Sequence, residues 1–341
     1  MRINSNIDVV KPLRVSLCTL FLRSLITAIC VLLAACTTIK QSETAVPIVE
    51  NAKPKSQLVN ENELVSSSDY NRAASLLFQW WGLFEGPDGN DVSEYFDRLF
   101  TEDVHLKLGE MDINGIQALK KVYASLPAGI DSAHHIEDIR VRFIGDDIYS
   151  LEADFVYHTR LPSGEVTATR MQYNHKIKKK DGDFALLDVS ATPVSSIESP
   201  TFKPVYRENR ARAAIIQYLG ITDDLSSDYA QLSQLMSNET EIHGMFDPAK
   251  VTFNERGDGV LIGRDEIANW LSSRKNSFVR VSHVLADISI TPLGDNRIEA
   301  LATVTTQAWP LEGEHIRVDL PVKITLRDTG RQFMAIEKID R

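Results

Sequence analysis

The chain has 341 residues, 43% of them apolar, and a formal charge of −10 from 37 basic and 47 acidic residues. That length allows about two ordinary domains, and the apolar fraction can fill their cores, which excludes a wholly disordered protein. The acidic balance argues against nucleic acid, and three cysteines confined to positions 18, 30 and 36 exclude a disulfide scaffold and a cysteine-rich zinc fold.

At the N-terminus, Arg2, Lys11, Arg14 and Arg23 precede an apolar run from Leu25 to Ala35. A basic region, a short apolar region and then small residues make a secretory signal over residues 1–35. The run is shorter than the roughly 20 residues that span a bilayer. It ends Leu33-Ala34-Ala35-Cys36, which resembles the lipobox of bacterial lipoproteins. The resemblance implies cleavage before Cys36 and lipidation of that cysteine, with more than one acyl chain for stable anchoring. Thr37, where the inner-membrane retention signal has Asp, implies the outer membrane, facing the periplasm or the cell surface. Loss of residues 1–35 removes four basic residues and one acid (Asp8), which carries the charge from −10 to −13. No free thiol remains to serve as nucleophile or metal ligand. Residues 36–66 are polar, contain Pro47 and Pro54 and lack aromatic residues, as expected of a flexible tether.

Helical spacing then predicts a first helix over 69–84, with Leu76, Leu77, Trp80 and Trp81 on its apolar face. A second helix is expected near 91–101 and a third just after Gly115. Strands follow, with Ile139, Val141 and Phe143 alternating with polar residues, then Leu151, Ala153, Phe155 and Tyr157, then Met171, Tyr173 and Ile177. Turns at Gly145-Asp146-Asp147, Pro162-Ser163-Gly164 and Asp181-Gly182-Asp183 separate them.

This order is written twice. Ile113-Asn114-Gly115 lies on Leu261-Ile262-Gly263, and the segment 132–141 lies on 281–290, which places His134 on His283 and Asp138 on Asp287. Asn71-Arg72 echoes Asn209-Arg210. We therefore expect one unit over 67–196, a joint over 197–204 and a second unit over 205–341. The second unit should carry helices over 205–220 and 226–237 and one starting after Gly263. Helices first and a long antiparallel meander last is an α+β layout, with the helices on one sheet face.

Both units resemble the nuclear-transport-factor-two-like superfamily, in particular its SnoaL-like domains. The residues that carry this are Leu99-Phe100-Thr101-Glu102-Asp103-Val104-His105-Leu106, the helix start at Gly115, and His134 to Val141. The resemblance implies two tandem cone-shaped domains, each a helical hairpin plus a third helix on a curved antiparallel sheet. It also implies pairing of sheets, which two copies in one chain can satisfy internally. The family hosts cyclases, dehydratases, isomerases and plain binding modules, so the fold alone does not fix the activity.

His134 and His283 are the candidate catalytic residues. In the family's dehydratases a histidine at this strand entrance works with a carboxylate from the first helix, and a His-x-x-x-x-x-Arg run is common. Arg140 fits that spacing after His134, whereas Ser289 stands in its place after His283. The last helical turns read Phe78-Gln79-Trp80-Trp81-Gly82 and Ile216-Gln217-Tyr218-Leu219-Gly220, without an acid. Glu85 and Asp223 fall beyond the expected helix ends, so the acid–base pair reads as incomplete in both copies. Strict alternation, moreover, puts His135 rather than His134 on the inner face unless a bulge intervenes.

His175, Tyr157, Tyr173, Trp81 and Tyr218 are the candidates to line a ligand pocket; each also has a structural reading as a core residue. The chain lacks Gly-x-Ser-x-Gly, His-Glu-x-x-His, P-loop and Gly-x-Gly-x-x-Gly motifs, and neither a cofactor nor a metal is expected. The composite expectation is an outer-membrane-anchored periplasmic lipoprotein with a binding or accessory role, holding a small hydrophobic ligand or a protein partner. The alternative is a lyase or isomerase with a pocket histidine as general base.

Overall fold

The computed structural model describes residues 65–86, 93–126, 128–245 and 259–341. The signal run, Cys36 and nearly all of the tether lie outside the described residues. Among the described residues no helix is long and apolar enough to cross a membrane.

The first unit opens with α1 (Ser67–Glu85), whose N-cap Ser66 accepts a hydrogen bond from the Asp69 amide. The short α2 (Ser93–Leu99) leads into β1 (Phe100–Leu108), β2 (Met111–Asn114) and α3 (Ile116–Ala124). Four long strands follow: β3 (Asp131–Gly145), β4 (Ile148–Arg160), β5 (Val166–Lys180) and β6 (Asp183–Ser196). The second unit repeats them as α4 (Tyr206–Asp223), β7 (Met236–Met245), β8 (Gly259–Ile262), α5 (Arg264–Ser273), β9 (Phe278–Gly294), β10 (Arg297–Pro310), β11 (Ile316–Arg327) and β12 (Ala335–Asp340). The molecule is α+β, with two six-stranded sheets of orders β2-β1-β6-β5-β4-β3 and β8-β7-β12-β11-β10-β9.

The sheets are mixed rather than wholly antiparallel. β1 runs parallel to β6 and β7 parallel to β12, because the helical segment between the first helix and β1 returns the chain to the far edge of the meander. The remaining neighbours are antiparallel hairpins. Their tight turns carry positive φ at Asp146, Asp147, Asp295 and Asn296, which short polar side chains tolerate. Along β4, buried Leu151, Ala153 and Phe155 alternate with Glu152 and Asp154 on the outer face.

Two helix predictions need correction. No helix forms over 226–237. That stretch holds a single 3-10 turn, Ala230–Gln234, and β7 starts at Met236. Ser227 and Asp228 side chains take the amides of Tyr229 and Ala230, so local polar side chains compete successfully with a helix. Conversely, α1 and α4 run on to Glu85 and Asp223, past the ends expected at 84 and 220. Gly82 and Gly220 sit at a helix crossing: a Cβ on Gly220 would lie 2.8 Å from Arg72 Cγ, and one on Gly82 would lie 3.6 Å from Arg210 Cδ. Gly220 is a contact glycine, whereas Gly82 has ordinary clearance; both lie inside their helices.

α1 and α4 pack directly against each other. Ser68 Oγ donates to Gly220 O and Ser75 Oγ to Ala213 O, each at 2.8 Å. This explains why α1 is buried almost all round, polar residues included: one side meets its own sheet and another meets α4. Arg72 donates to Gly182 O and to Gln231, and Arg210 donates to Gln332 O, Arg331 O and Asp328, so each helix pins the last hairpin of its own sheet.

Candidate functional site

Each first helix ends at the strand carrying the candidate histidine. In the first unit Glu85 Oε1 lies 2.9 Å from His134 Nδ1 and accepts the His134 backbone amide at 2.6 Å. In the second, Asp223 Oδ1 lies 2.5 Å from His283 Nδ1, and Oδ2 accepts the His283 amide at 3.1 Å. Both carboxylates have no solvent exposure, and both imidazoles are 4% exposed. The expectation of an incomplete acid–base pair is thus overturned in both copies. The helices expected over 69–84 and 205–220 extend to include both acids.

The bulge that strict alternation requires is present. Register shifts between Ile136 and Asp138, and the partner of β9 shifts between Thr303 and Val304, so His134 and His283 turn inward while Asp138 and Asp287 face out. Arg140 belongs to the outer face, bound to Asp138, Glu152 and Asp154, and takes no part beside His134.

The two pairs are held reciprocally across the helix contact. Asn209 of the second unit donates to Glu85 at 3.0 Å and to His134 O at 3.0 Å. Asn71 of the first unit donates to Asp223 Oδ2 at 3.1 Å and to His283 O at 2.9 Å. Each buried carboxylate therefore receives a ring, a backbone amide and a side-chain amide, which offsets the cost of taking its charge out of water. Sequence reading missed Glu85, Asp223, Asn71 and Asn209. The signal was available, since the offset that lays Asn71-Arg72 on Asn209-Arg210 also lays Glu85 on Asp223.

The surroundings of the two histidines differ. Around His134 the interior is aromatic. Trp81 stacks on the imidazole at 4.9 Å and 7°, with Tyr157 at 4.8 Å and Phe155 at 5.5 Å. Tyr173 packs on Phe155 at 4.3 Å and His175 on Tyr173 at 4.5 Å. The Tyr157 hydroxyl is bonded to Thr159 and Ser132, and that of Tyr173 faces the indoles of Trp80 and Trp81. Trp81, Tyr157, Tyr173 and His175 are thus brought together with His134, as a packed cluster.

Strand pairing gives their counterparts in the second unit. His134 opposes Tyr157 as His283 opposes Thr306, Ala153 opposes Tyr173 as Ala302 opposes Val322, and Leu151 opposes His175 as Ala300 opposes Ile324. By the helix offset, Leu219 replaces Trp81. Smaller aliphatic side chains stand where the first unit has rings, and a narrow cleft with an interior of about 20 Å³, room for roughly one water molecule, lies beside His283. Leu219, Val304, Thr306, Val322, Ile324 and Tyr218 are among its walls. Of the candidate pocket residues, only Tyr218 lines this cleft; the other four belong to the other unit.

Burial lowers the His283 pKa below the ordinary histidine value; Asp223 acts in the opposite sense and Arg274 and Arg341 reinforce the drop. His175, wholly buried, is pushed down to about 3 by desolvation. The unfolded chain then takes up a proton at His175 as pH falls below about 6.5, and the folded chain does not until about 3, so stability falls with acidification across that window. Replacing His175 by Ile, the residue of the second unit, should remove that dependence. From pH 7.5 to 5, the unfolding free energy of wild type, measured in urea, should fall by about 2 kcal/mol more than that of H175I. Equal losses in the two proteins would contradict the assignment.

Among the described residues no cluster of three or more His, Cys, Asp or Glu side chains could hold a metal. No protein-family model and no curated protein matches the chain. Solved structures similar to part of it include the hexachlorocyclohexane dehydrochlorinase LinA-type3 of Novosphingobium barchaimii LL02 (14% identity, 38% of this chain and 93% of that chain, TM-score 0.32). Others are an uncharacterized protein with a cystatin-like fold from Caulobacter vibrioides (13%, 37% and 90%, 0.32) and ActVI-ORFA from Streptomyces coelicolor (15%, 35% and 95%, 0.30).

Proposed function

We propose that this protein is a cofactor-independent lyase or isomerase, and that the second unit removes a carbon-bound proton from a small hydrophobic molecule. His283 is the base, Asp223 fixes its tautomer, and Asn71 reaches across from the first unit to hold Asp223. The observation that carries this reading is an imidazole in the wall of an apolar cleft with a fully buried carboxylate 2.5 Å from its Nδ1. The carboxylate accepts a hydrogen bond from Nδ1–H, which leaves the Nε2 lone pair for the cleft. Burial keeps the ring neutral at pH 7, the state a base requires. The first unit, with Trp81 stacked on its histidine, has a structural role in this reading.

A binding or accessory role without turnover is the second reading, and the narrowness of the cleft favours it. The two separate on 5-nitrobenzisoxazole, a small apolar probe whose ring opens on loss of one carbon-bound proton. We expect catalysed ring opening that is lost on acidification, at a pH below the ordinary histidine value because burial lowers the His283 pKa. H283Q should lower the rate by about 10²–10⁴-fold, the usual contribution of a positioned base. A wild-type rate equal to that of H283Q would leave only the binding role.

We also propose that the chain is anchored to the outer membrane by lipid on Cys36 and faces the periplasm. The basic residues before Leu25, the Leu33-Ala34-Ala35-Cys36 run and Thr37 support this. Metabolic palmitate labelling should mark the wild-type chain and not C36S; labelling that survives in C36S would remove the anchor.

A further inference from the structure

The duplication also relates the segments that lead into the two first helices. Asn71 donates to His283 O as Asn209 donates to His134 O, so each first helix enters over a strand of the other unit. The joint that leads into α4 crosses the outer face of the first unit. Ile197 N donates to Ala168 O at 3.0 Å, and the His158 and His135 rings are bonded to the backbones of Thr201 and Lys203. Phe202 lies on the Arg160 guanidinium, 4.6 Å from its ring centre. Beneath this strap Ala133, Val156 and Ala168 are at most 9% exposed, although their neighbours His134 and Tyr157 hold the inward positions.

The same face of the second unit is open. Strand pairing lays His135, Val156, His158 and Arg160 on Val284, Thr305, Gln307 and Trp309, and buried Ala168 on exposed Arg317. Val284 is 45% exposed, and Leu311, two residues beyond Trp309, is 58% exposed. Arg280 lies on the Trp309 ring at 3.5 Å, where the first unit has Arg160 under Phe202. An apolar corner of this kind marks a place for a cover. The counterpart of the joint is the stretch that leads into α1. The offset that lays Asn71 on Asn209 lays Val59 on Ile197 and Leu64 on Phe202, apolar at both positions. Its arrival is already fixed on the second unit: Val65 packs half-buried against the core, and Ser67 Oγ donates to Val281 O at 3.3 Å.

We propose that residues 59–64 dock on the outer face of the second unit, as residues 197–202 do on that of the first. Val59 N then donates to Arg317 O, Leu64 covers Trp309, and Glu61 and Glu63 meet the exposed Arg280 and Arg317 guanidiniums. The occupant is this chain itself, because the stretch must reach α1, whose entry lies on that face. Each unit's entry segment thereby closes the other unit's outer face, a second reciprocal clamp beside the two asparagines. With Cys36 as the anchor, the free tether shortens to residues 36–58; that consequence rests on the lipid reading above, whereas the docking itself does not.

The test is amide hydrogen exchange, read by mass spectrometry on the soluble chain from Thr37 onward, which keeps every described residue. We expect the amides of 59–64 to exchange at least about tenfold more slowly than those of 40–55. V284D and W309A, which change only the second unit's outer face, should return 59–64 to the rate of 40–55, and so should L64D. The two surface variants separate docking from a mere extension of α1, which they would leave untouched. Exchange of 59–64 as fast as that of 40–55 in wild type, or protection that survives in both V284D and W309A, would overturn the proposal. Protection that disappears on dilution would assign the corner to a second copy of the chain and overturn it as well.

Discussion

Replacing Asp223 by Asn should lower proton abstraction by about 10²–10⁴-fold while leaving the chain folded. The carboxylate accepts from His283 Nδ1 at 2.5 Å and from the His283 amide and Asn71 on its other oxygen. An amide at that position retains one acceptor oxygen, and most of the buried geometry survives. What it cannot retain is the tautomer. An amide nitrogen facing Nδ1 donates, the ring proton moves to Nε2, and the lone pair aimed at the cleft is lost. The check is the kcat of D223N on 5-nitrobenzisoxazole alongside its circular dichroism spectrum and Tm. A folded D223N with wild-type kcat would show that the pair is structural.

The second large effect is on stability. Glu85 takes three groups at the contact between the units: the His134 ring, the His134 amide and Asn209. E85A strands all three donors in a dry interior and should cost about 3–5 kcal/mol, the range for removing one partner of a buried ion pair. That is a drop in Tm on the order of 10 °C. N209A should cost less, about 1.5–3 kcal/mol, because it removes one donor to a charged acceptor. Since the two residues touch, E85A/N209A should be less destabilised than the sum of the single variants, by about 1 kcal/mol or more. Denaturant unfolding of the four proteins measures this. Additive losses would mean that Asn209 does not depend on Glu85.

Much of this was legible in the residues. The repeat set the two units, the alternation of Leu151, Ala153 and Phe155 set their strands, and the same repeat drew attention to His134 and His283. Three features were not legible, each for a physical reason. The ends of the first helices were not legible: α4 continues past Gly220, a glycine because Arg72 of the opposite helix crosses there, and α1 runs one residue past its expected end. Those extensions bring Glu85 and Asp223 to the histidines. Bulges on β3 and β9 shift every residue before them to the other face, and no residue type in Glu137 or Ala286 announces them. The parallel pairing of β1 with β6 depends on where the chain returns after α1, a long-range matter that local alternation does not encode.

The difference between the units was also present in the residues but needed the register. Trp81, Phe155, Tyr157 and Tyr173 align with Leu219, Val304, Thr306 and Val322 once the cross-strand partners are known. One set of rings packs against a histidine; one set of smaller side chains leaves room beside the other. Among the described residues the duplicated fold thereby keeps two matched histidine–carboxylate pairs, each clamped by the other unit, with a narrow cleft beside His283.

The most direct measurement is the ring-opening rate of 5-nitrobenzisoxazole by H134Q and H283Q, at pH 7.5 under one set of conditions. Loss of the rate in H283Q and its survival in H134Q, the latter with a lowered Tm, is the expected result. Loss in H134Q with survival in H283Q, or equal rates in both, would contradict the assignment of the chemistry to the second unit.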